Sequence, residues 1–321
     1  MATYVVRRLL LMIPMLLLVT VLVFAVLQLL PGGPMAYYTQ AGGARPEELE
    51  RLRHQLGLDQ PLPVQYLRWL ARWVQGDWGE SYITREPVRE LIAQRLSNSL
   101  LLMSSAFIVA VVVGICTGTV AALKQYSLAD NILTVFSFIG FCVPTFWLGL
   151  IMIYVFDVRL HWLPGMGMYT LGEPFSLIDR VRHLVMPVLV ASLYSAGMYS
   201  RYLRSSLLEV LNLDYLRTAR AKGLHERAVV LRHAMRNALI PLVTIVAMDL
   251  PWMFGGAVLT ETIFSWPGMG HQFWKSALDS DYPVVMTWVM VVSIAVIVCN
   301  LLADFLYALL DPRIRYDAPS T

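Results

Sequence analysis

Six apolar runs dominate this sequence, at about 9–30, 99–123, 131–156, 184–203, 237–260 and 284–310. A bilayer core about 30 Å thick is crossed by roughly twenty helical residues, each rising about 1.5 Å. Backbone polar groups find no water in lipid, so runs of this length must be helices with internal hydrogen bonds. The expected fold class is an all-α integral membrane protein with six transmembrane helices. Composition agrees, with 57% hydrophobic and only 15% charged residues, where soluble domains carry about a quarter.

The first run follows Arg7 and Arg8 and is roughly twenty residues long, beyond the 7–15 or so of a signal peptide's apolar region. No small-residue cleavage pattern follows it, so it is expected to be a retained span. The fourth run is diluted by Ser192, Tyr194, Ser195, Ser200 and Arg201, and is expected to face protein or a water-filled path. Short loops set the orientation through their Lys and Arg. Between Arg201 and Arg236 stand Arg201, Arg204, Arg217, Arg220, Lys222, Arg227, Arg232 and Arg236 against Glu209, Asp214 and Glu226. The loop before the last run has Lys275 against Glu261, Asp279 and Asp281. The former is therefore expected inside and the latter outside. Both termini then lie in the cytoplasm, in keeping with Arg313 and Arg315.

The external segment 31–98 carries helix signals of its own. Pro46 opens one helix, with Glu47, Glu48 and Glu50 in its first turns and Gly57 closing it. Another begins near Pro63 and runs through Tyr66, Trp69 and Trp73 to Gly76. Its aromatic residues suit packing on the bilayer surface or on the spans. The expected organisation is a first span with its cytoplasmic end (1–30), an external helical insertion (31–98), a five-span core (99–310) containing loop 204–236, and a cytoplasmic tail (311–321).

From that loop into the fifth run, Asp214–Pro241 is basic, helix-favouring and interrupted by glycine. Asp214 can cap a helix, and Tyr215–Lys222 is rich in Ala, Arg and Lys, which favour helix. Gly223 stands where a helix ends in the left-handed conformation. A second helix starts near Glu226. Ala219 and Ala221 leave little bulk and allow close approach by a partner. An alternative is an amphipathic loop resting on anionic headgroups.

The residues RTARAKG followed by RNALIP resemble the cytoplasmic loop of ABC-importer permeases, whose pattern is Glu-Ala-Ala, three residues, Gly, then a spacer ending near Leu-Pro. Ala219 and Gly223 match that pattern. Arg217 and Thr218 stand in place of Glu and the first Ala, and the spacer to Pro241 is longer by about five residues. Both departures are typical of the dipeptide, oligopeptide and nickel branch. The resemblance spans the chain: DWGES at Asp77–Ser81, ELIAQRLSNSLLL at Glu90–Leu102, GGAVLTETIFSWPGMG at Gly255–Gly270, DYPVV at Asp281–Val285 and LLDPRIRY at Leu309–Tyr316 are similar to that branch.

The resemblance implies a permease subunit of an ATP-driven importer in a prokaryotic inner membrane, forming the path for peptides or related small solutes. It implies a cytoplasmic coupling helix between spans four and five, with Asp214, Arg217, Thr218, Ala219, Arg220, Ala221, Lys222, Gly223 and Arg227 as coupling residues. The implied partners are a second homologous permease, two cytoplasmic ATPase subunits holding ATP and Mg, and an external solute-binding protein. Glu261, Trp266 and His271 are expected near that protein's docking surface.

The chain itself has no GxxxxGK[ST] phosphate loop, no GxSxG and no HExxH, so neither an enzyme nor a metal centre is expected. No cofactor is expected on this chain. Cys116, Cys142 and Cys299 have no paired spacing and read as small hydrophobes. The weak, scattered net charge of +3 gives no footing for nucleic acid.

Candidate translocation-path residues are Asp249, Pro251, Gly255, Gly256 and Ser195. Asp249 is a carboxylate at membrane depth, where charge is costly and often functional, although a carboxyl paired with a neighbouring helix is the plainer reading. Pro144 and Pro187 are expected to kink their runs. Gly114 and Gly118 have the GxxxG spacing of close helix contact. An ion-gradient-driven secondary transporter is the alternative function, and its usual division into two matching repeats is hard to find in six unequal runs.

Overall fold

The computed structural model describes residues 2–29, 33–40 and 46–310, and among them there is no strand, only an isolated bridge between Glu80 and Pro87. The principal helices are α1 (Ala2–Leu29), α2 (Pro46–Gln55), α3 (Leu62–Val74), α4 (Val88–Leu123), α5 (Leu128–Cys142), α6 (Thr145–Met152), α7 (Leu177–Leu211), α8 (Asp214–Ala221), α9 (Met235–Asp249), α10 (Met269–Leu278) and α11 (Tyr282–Leu310). Among the described residues five helical stretches are long and apolar enough to cross a membrane, or six if one bent pair counts as a single span. The Arg7 and Arg8 side chains and the tail 311–321, with Arg313 and Arg315, lie outside the described residues.

The chain divides into two compact units, 1–99 with 267–298 and 100–266 with 299–321. In the first, the expected external helices form where Pro46 and Pro63 predicted them, and Gly57 and Gly76 take positive φ just after α2 and α3. Tyr66 of α3 packs edge-on against Phe24 of α1, with ring centroids 5.6 Å apart. Its hydroxyl lies 2.8 Å from that of Thr20, which is almost fully buried. The aromatic face of the insertion is thus laid along the first span.

The DWGES and DYPVV segments meet in this unit. Ser81 Oγ donates to Asp281 Oδ2 at 2.5 Å, and the Tyr82 N–H donates to Oδ1 at 3.0 Å. Asp281 is completely buried, and that burial pushes its carboxyl up from the ordinary range in spite of both bonds. Val88, Leu91, Ile92, Met269 and Val284 form the adjoining apolar core. Ser99 Oγ accepts from the Met269 N–H at 2.7 Å.

In the second unit α7 is the axis, and it is the most buried of the spanning helices. This fits the expectation that the diluted fourth run faces protein. Lipid tails give no hydrophobic drive for helices to associate, so small residues that let backbones approach carry the packing. A Cβ on Gly114 would fall 2.6 Å from the Tyr199 Cβ, and one on Gly118 would fall 2.6 Å from the Ser200 carbonyl oxygen. Gly140 of α5 meets the Leu193 carbonyl in the same way, and Gly197 of α7 meets that of Ser137. The GxxxG pair therefore serves contact inside the chain.

The two prolines behave differently. Helix α7 runs unbroken through Pro187, since a proline inside a membrane helix is tolerated where neighbours satisfy the freed carbonyl. At Pro144 the third apolar run breaks, and the segments Leu128–Cys142 and Thr145–Arg159 diverge by 106°. The residue before a proline is steered to extended backbone, and Val143 sits at φ −84, ψ 120.

Glu261 and Trp266 do not fit the docking role expected of them. They are 0% and 1% exposed, and Trp266 packs with Leu102, Ala106, Met168 and Val188 in the core of the second unit. Neither side chain reaches a surface that another protein could touch.

Gly118→Ala is expected to cost about 1–3 kcal/mol through overpacking against α7, seen as a lower melting temperature in detergent. Val120→Ala, at a lipid-exposed position, should change it little. For Asp281, a raised native pKa means that its contribution is full at low pH and is lost as pH rises through the native value. Melting temperature should therefore fall more steeply between pH 4 and 7 in the wild type than in Asp281→Asn.

Candidate functional site

Helix α8 sits between α7 and the helical stretch beginning at Glu226, and its two faces differ. Leu216 is fully buried and Ala219 nearly so, within a core that includes Leu207 and Val210 of α7 and Val229, Val230 and Ala234 before α9. The Tyr215 hydroxyl accepts from Asn237 Nδ2 at 2.8 Å. The opposite face, with Asp214, Arg217, Thr218, Ala221 and Lys222, is open to solvent. A short helix of this length is marginal alone, and here tertiary packing holds it.

Two local expectations are corrected. Asp214 is the first residue inside the helix. Leu213 occupies the cap position and makes no side-chain cap bond, and Asp214 pairs instead with Arg217 at 3.4 Å. Ala219 gives its small bulk to contact inside the chain, while Ala221 is the exposed alanine.

Gly223 follows with φ +80 and nothing within 4 Å of a built Cβ, so backbone conformation is what requires glycine here. Arg220 is tied bidentately to Glu226, at 3.0 and 2.8 Å, which bridges the glycine turn. Arg227 is exposed. The second helix predicted near Glu226 begins there and continues to Gly255 as one 30-residue stretch, through wide π turns at Val229–Ala234.

The lower part of α7 is anchored by a pair that sequence reading missed. Arg204 Nε and Nη2 donate to the two oxygens of Asp130, each at 2.8 Å. Asp130 is 3% exposed and also accepts from the Tyr126 N–H at 3.0 Å. Arg201 lies over the rings of Phe138 and Phe141, 5.1 and 5.5 Å from their centroids, an attraction that fixes α7 to α5. The pairing joins residues 74 apart in sequence, a separation that hides it from local reading.

A cavity of about 720 Å³ lies within the same unit, walled by α4, α7 and the end of the Glu226–Gly255 stretch. Of the predicted path residues, Asp249, Ser195 and Gly256 line it, whereas Pro251 and Gly255 do not. Pro251 is buried and starts the short helix Trp252–Gly255. Gly256 then takes φ 70, ψ 158, a region open essentially to glycine alone, and the chain turns away there. Tyr199 Oη donates to Asp249 Oδ2 at 2.6 Å. Tyr199 and Trp252 were not anticipated as site residues. Among the described residues no cluster of His, Cys, Asp or Glu is arranged to hold a metal.

A cavity among spanning helices, with a short half-polar helix between two of them, is the architecture of a multi-pass membrane protein. Residues 114–316 match the model of the binding-protein-dependent transport system inner membrane component, and residues 1–103 match that family's N-terminal model. The oligopeptide transport system permease protein AppB of Bacillus subtilis (strain 168) is 44% identical over 317 residues, covering 98% of this chain and 100% of that protein. The di/tripeptide transport system permease protein DppB of Pseudomonas aeruginosa (strain UCBPP-PA14) is 40% identical over 334 residues, covering 98% and 99%. The glutathione transport system permease protein GsiC of Escherichia coli (strain K12) is 39% identical over 316 residues, covering 98% and 100%. A solved structure of the MetNI methionine ABC transporter, inward facing, matches with a TM-score of 0.56 at 16% identity. It covers 70% of this chain and 99% of that one, a likeness of fold.

The chain belongs to the family of binding-protein-dependent transport system inner membrane components, in its peptide and nickel branch. It is a permease of the ABC-importer class. The alternative of an ion-gradient-driven secondary transporter finds no support in these likenesses.

Removing one partner of a buried ion pair strands the other charge. Because Arg204 keeps some solvent access, Asp130→Ala is expected to cost about 2 kcal/mol, below the ~3–5 of fully buried pairs. Chemical denaturation in detergent measures the loss, and Asp130→Leu combined with Arg204→Leu should recover part of it.

Proposed function

We propose that this chain forms the translocation path of an ATP-driven importer for peptides or related small solutes. It works with a second homologous permease, two cytoplasmic subunits that bind ATP and Mg, and an external solute-binding protein. The relatives named for oligopeptides, di/tripeptides and glutathione support the substrate class. The cytoplasmic placement of loop 204–236 and of both termini rests on the excess of Arg and Lys over Asp and Glu in that loop.

The observation that carries the coupling role is the division of α8 into two faces. Its apolar face, Leu216 and Ala219, is spent on α7 and on the stretch leading into α9. Its polar face, with Asp214, Arg217, Thr218, Ala221 and Lys222, is left for a partner. A push on the polar face is passed to two spanning helices through a packed core. That core resists deformation because protein interiors are close-packed. Gly223 and the Arg220–Glu226 pair fix the angle between α8 and the next helix, and Arg227 adds a charge beside the knob. ATP binding and hydrolysis move the spans only to the extent that the two states hold the knob differently.

The test separates assembly from coupling. Ala221→Trp, on the exposed face, should leave membrane insertion and melting temperature unchanged. ATP-dependent uptake into proteoliposomes should fall about tenfold, corresponding to the loss of about 1.4 kcal/mol of coupling. Gly223→Val should uncouple as well, with some loss of stability from its positive φ. Normal uptake by both variants in the fully assembled transporter would refute the docking assignment.

A further inference from the structure

We infer that the cavity of the 100–266 unit holds the charged amino group of a translocated solute on the carboxylate of Asp249. This rests on the importer reading above and adds which end of the solute the wall recognises. Among the described residues Asp249 is the cavity's single carboxylate, and no Arg, Lys or His lines it. The other polar side-chain groups are uncharged: hydroxyls on Thr145, Ser192, Tyr194, Ser195, Tyr199 and Thr260 and the indole N–H of Trp252. A solute's ammonium therefore finds an opposite charge, whereas its carboxylate finds none.

The carboxylate is also positioned. Tyr199 donates to Oδ2 at 2.6 Å, and Ser195 lines the same wall one helical turn earlier on α7. That bond aims the group through Oδ2 and leaves Oδ1 for an incoming N–H. Phe107, Tyr194 and Trp252 supply aromatic surface in the same wall, and ring faces attract ammonium ions. A volume of about 720 Å³ lies within the ~300–1,000 Å³ typical of small-molecule sites. A carboxylate at membrane depth is expensive to keep. A purely structural partner for the Tyr199 hydroxyl could be a neutral acceptor at lower cost.

The test uses the purified complete transporter with Cys116, Cys142 and Cys299 replaced by alanine and Met253→Cys introduced on the cavity wall. Tri-alanine should slow maleimide labelling at position 253, and N-acetyl-tri-alanine should protect about tenfold more weakly, the usual scale for a hydrogen bond to a charged group. Asp249→Asn should erase the difference between the two peptides, and Asp249→Glu should retain it. Equal protection by both peptides, or a difference that survives in Asp249→Asn, overturns the inference. The N-acetyl comparison needs no change at Asp249, so poor assembly of that variant does not shield it. If neither peptide protects while the same preparation takes up tri-alanine with ATP, the amine site fails and the importer reading stands. If there is no ATP-dependent uptake of any peptide, the importer reading itself fails and takes the site with it.

Discussion

Backbone-to-backbone contact along α7 is the constraint on which the second unit depends. In lipid a leucine gains nothing by leaving tails for another helix, so association rests on close packing and polar bonds. Gly114 and Gly118 on one side, and Gly140 with Gly197 on the other, bring α4 and α5 against α7 at distances that admit no Cβ. Once α7 is fixed this closely, Tyr199 is set to meet Asp249 and Arg204 to meet Asp130. The cavity wall and the support beneath loop 204–236 are therefore parts of one packing solution.

Much of the architecture could be read from the chain because membrane physics is unforgiving. Runs of about twenty apolar residues must be helices in lipid, and proline and glycine positions placed α2 and α3 in the insertion. The extent of α8 was legible from its alanines and arginines, with Gly223 marking its end. The 106° break at Pro144 was legible only as a kink, since sequence does not say how far the following helix swings. Pro187 carries the same local signal and leaves α7 unbroken, because the outcome depends on neighbours that a single run cannot reveal.

The site was less legible, and the reason is geometric. Asp249 stands out alone as a charge in an apolar run, but its partner lies 50 residues away. Which residue of α7 faces it depends on the rotation of two helices. Ala219 shows the same limit. Its small side chain suits close approach, yet sequence cannot tell whether the approaching surface is foreign or the chain's own. Leu216, three residues earlier and so on the same face, is what turns Ala219 inward. Glu261 and Trp266 were expected near a docking surface because the resemblance implies an external binding protein and their loop is assigned to the external side. Folding places both under the surface instead, and Trp266 becomes core.

The arrangement of α8 also bears on why its length matters. A two-turn helix cannot store or transmit force through its own hydrogen bonds, since it is barely stable in isolation. Leu216 and Ala219 convert it into an extension of the core, and Tyr215 adds a bond to Asn237 in the first turn of α9. Displacing the knob without moving α7 or α9 would require breaking that core. The easier response is for the helices to move together, and they carry Tyr199 and Asp249, one on each. A motion that separates α7 from α9 would part this pair and change the shape of the wall it forms. The same geometry that ties the loop to the spans thus ties the spans to the cavity.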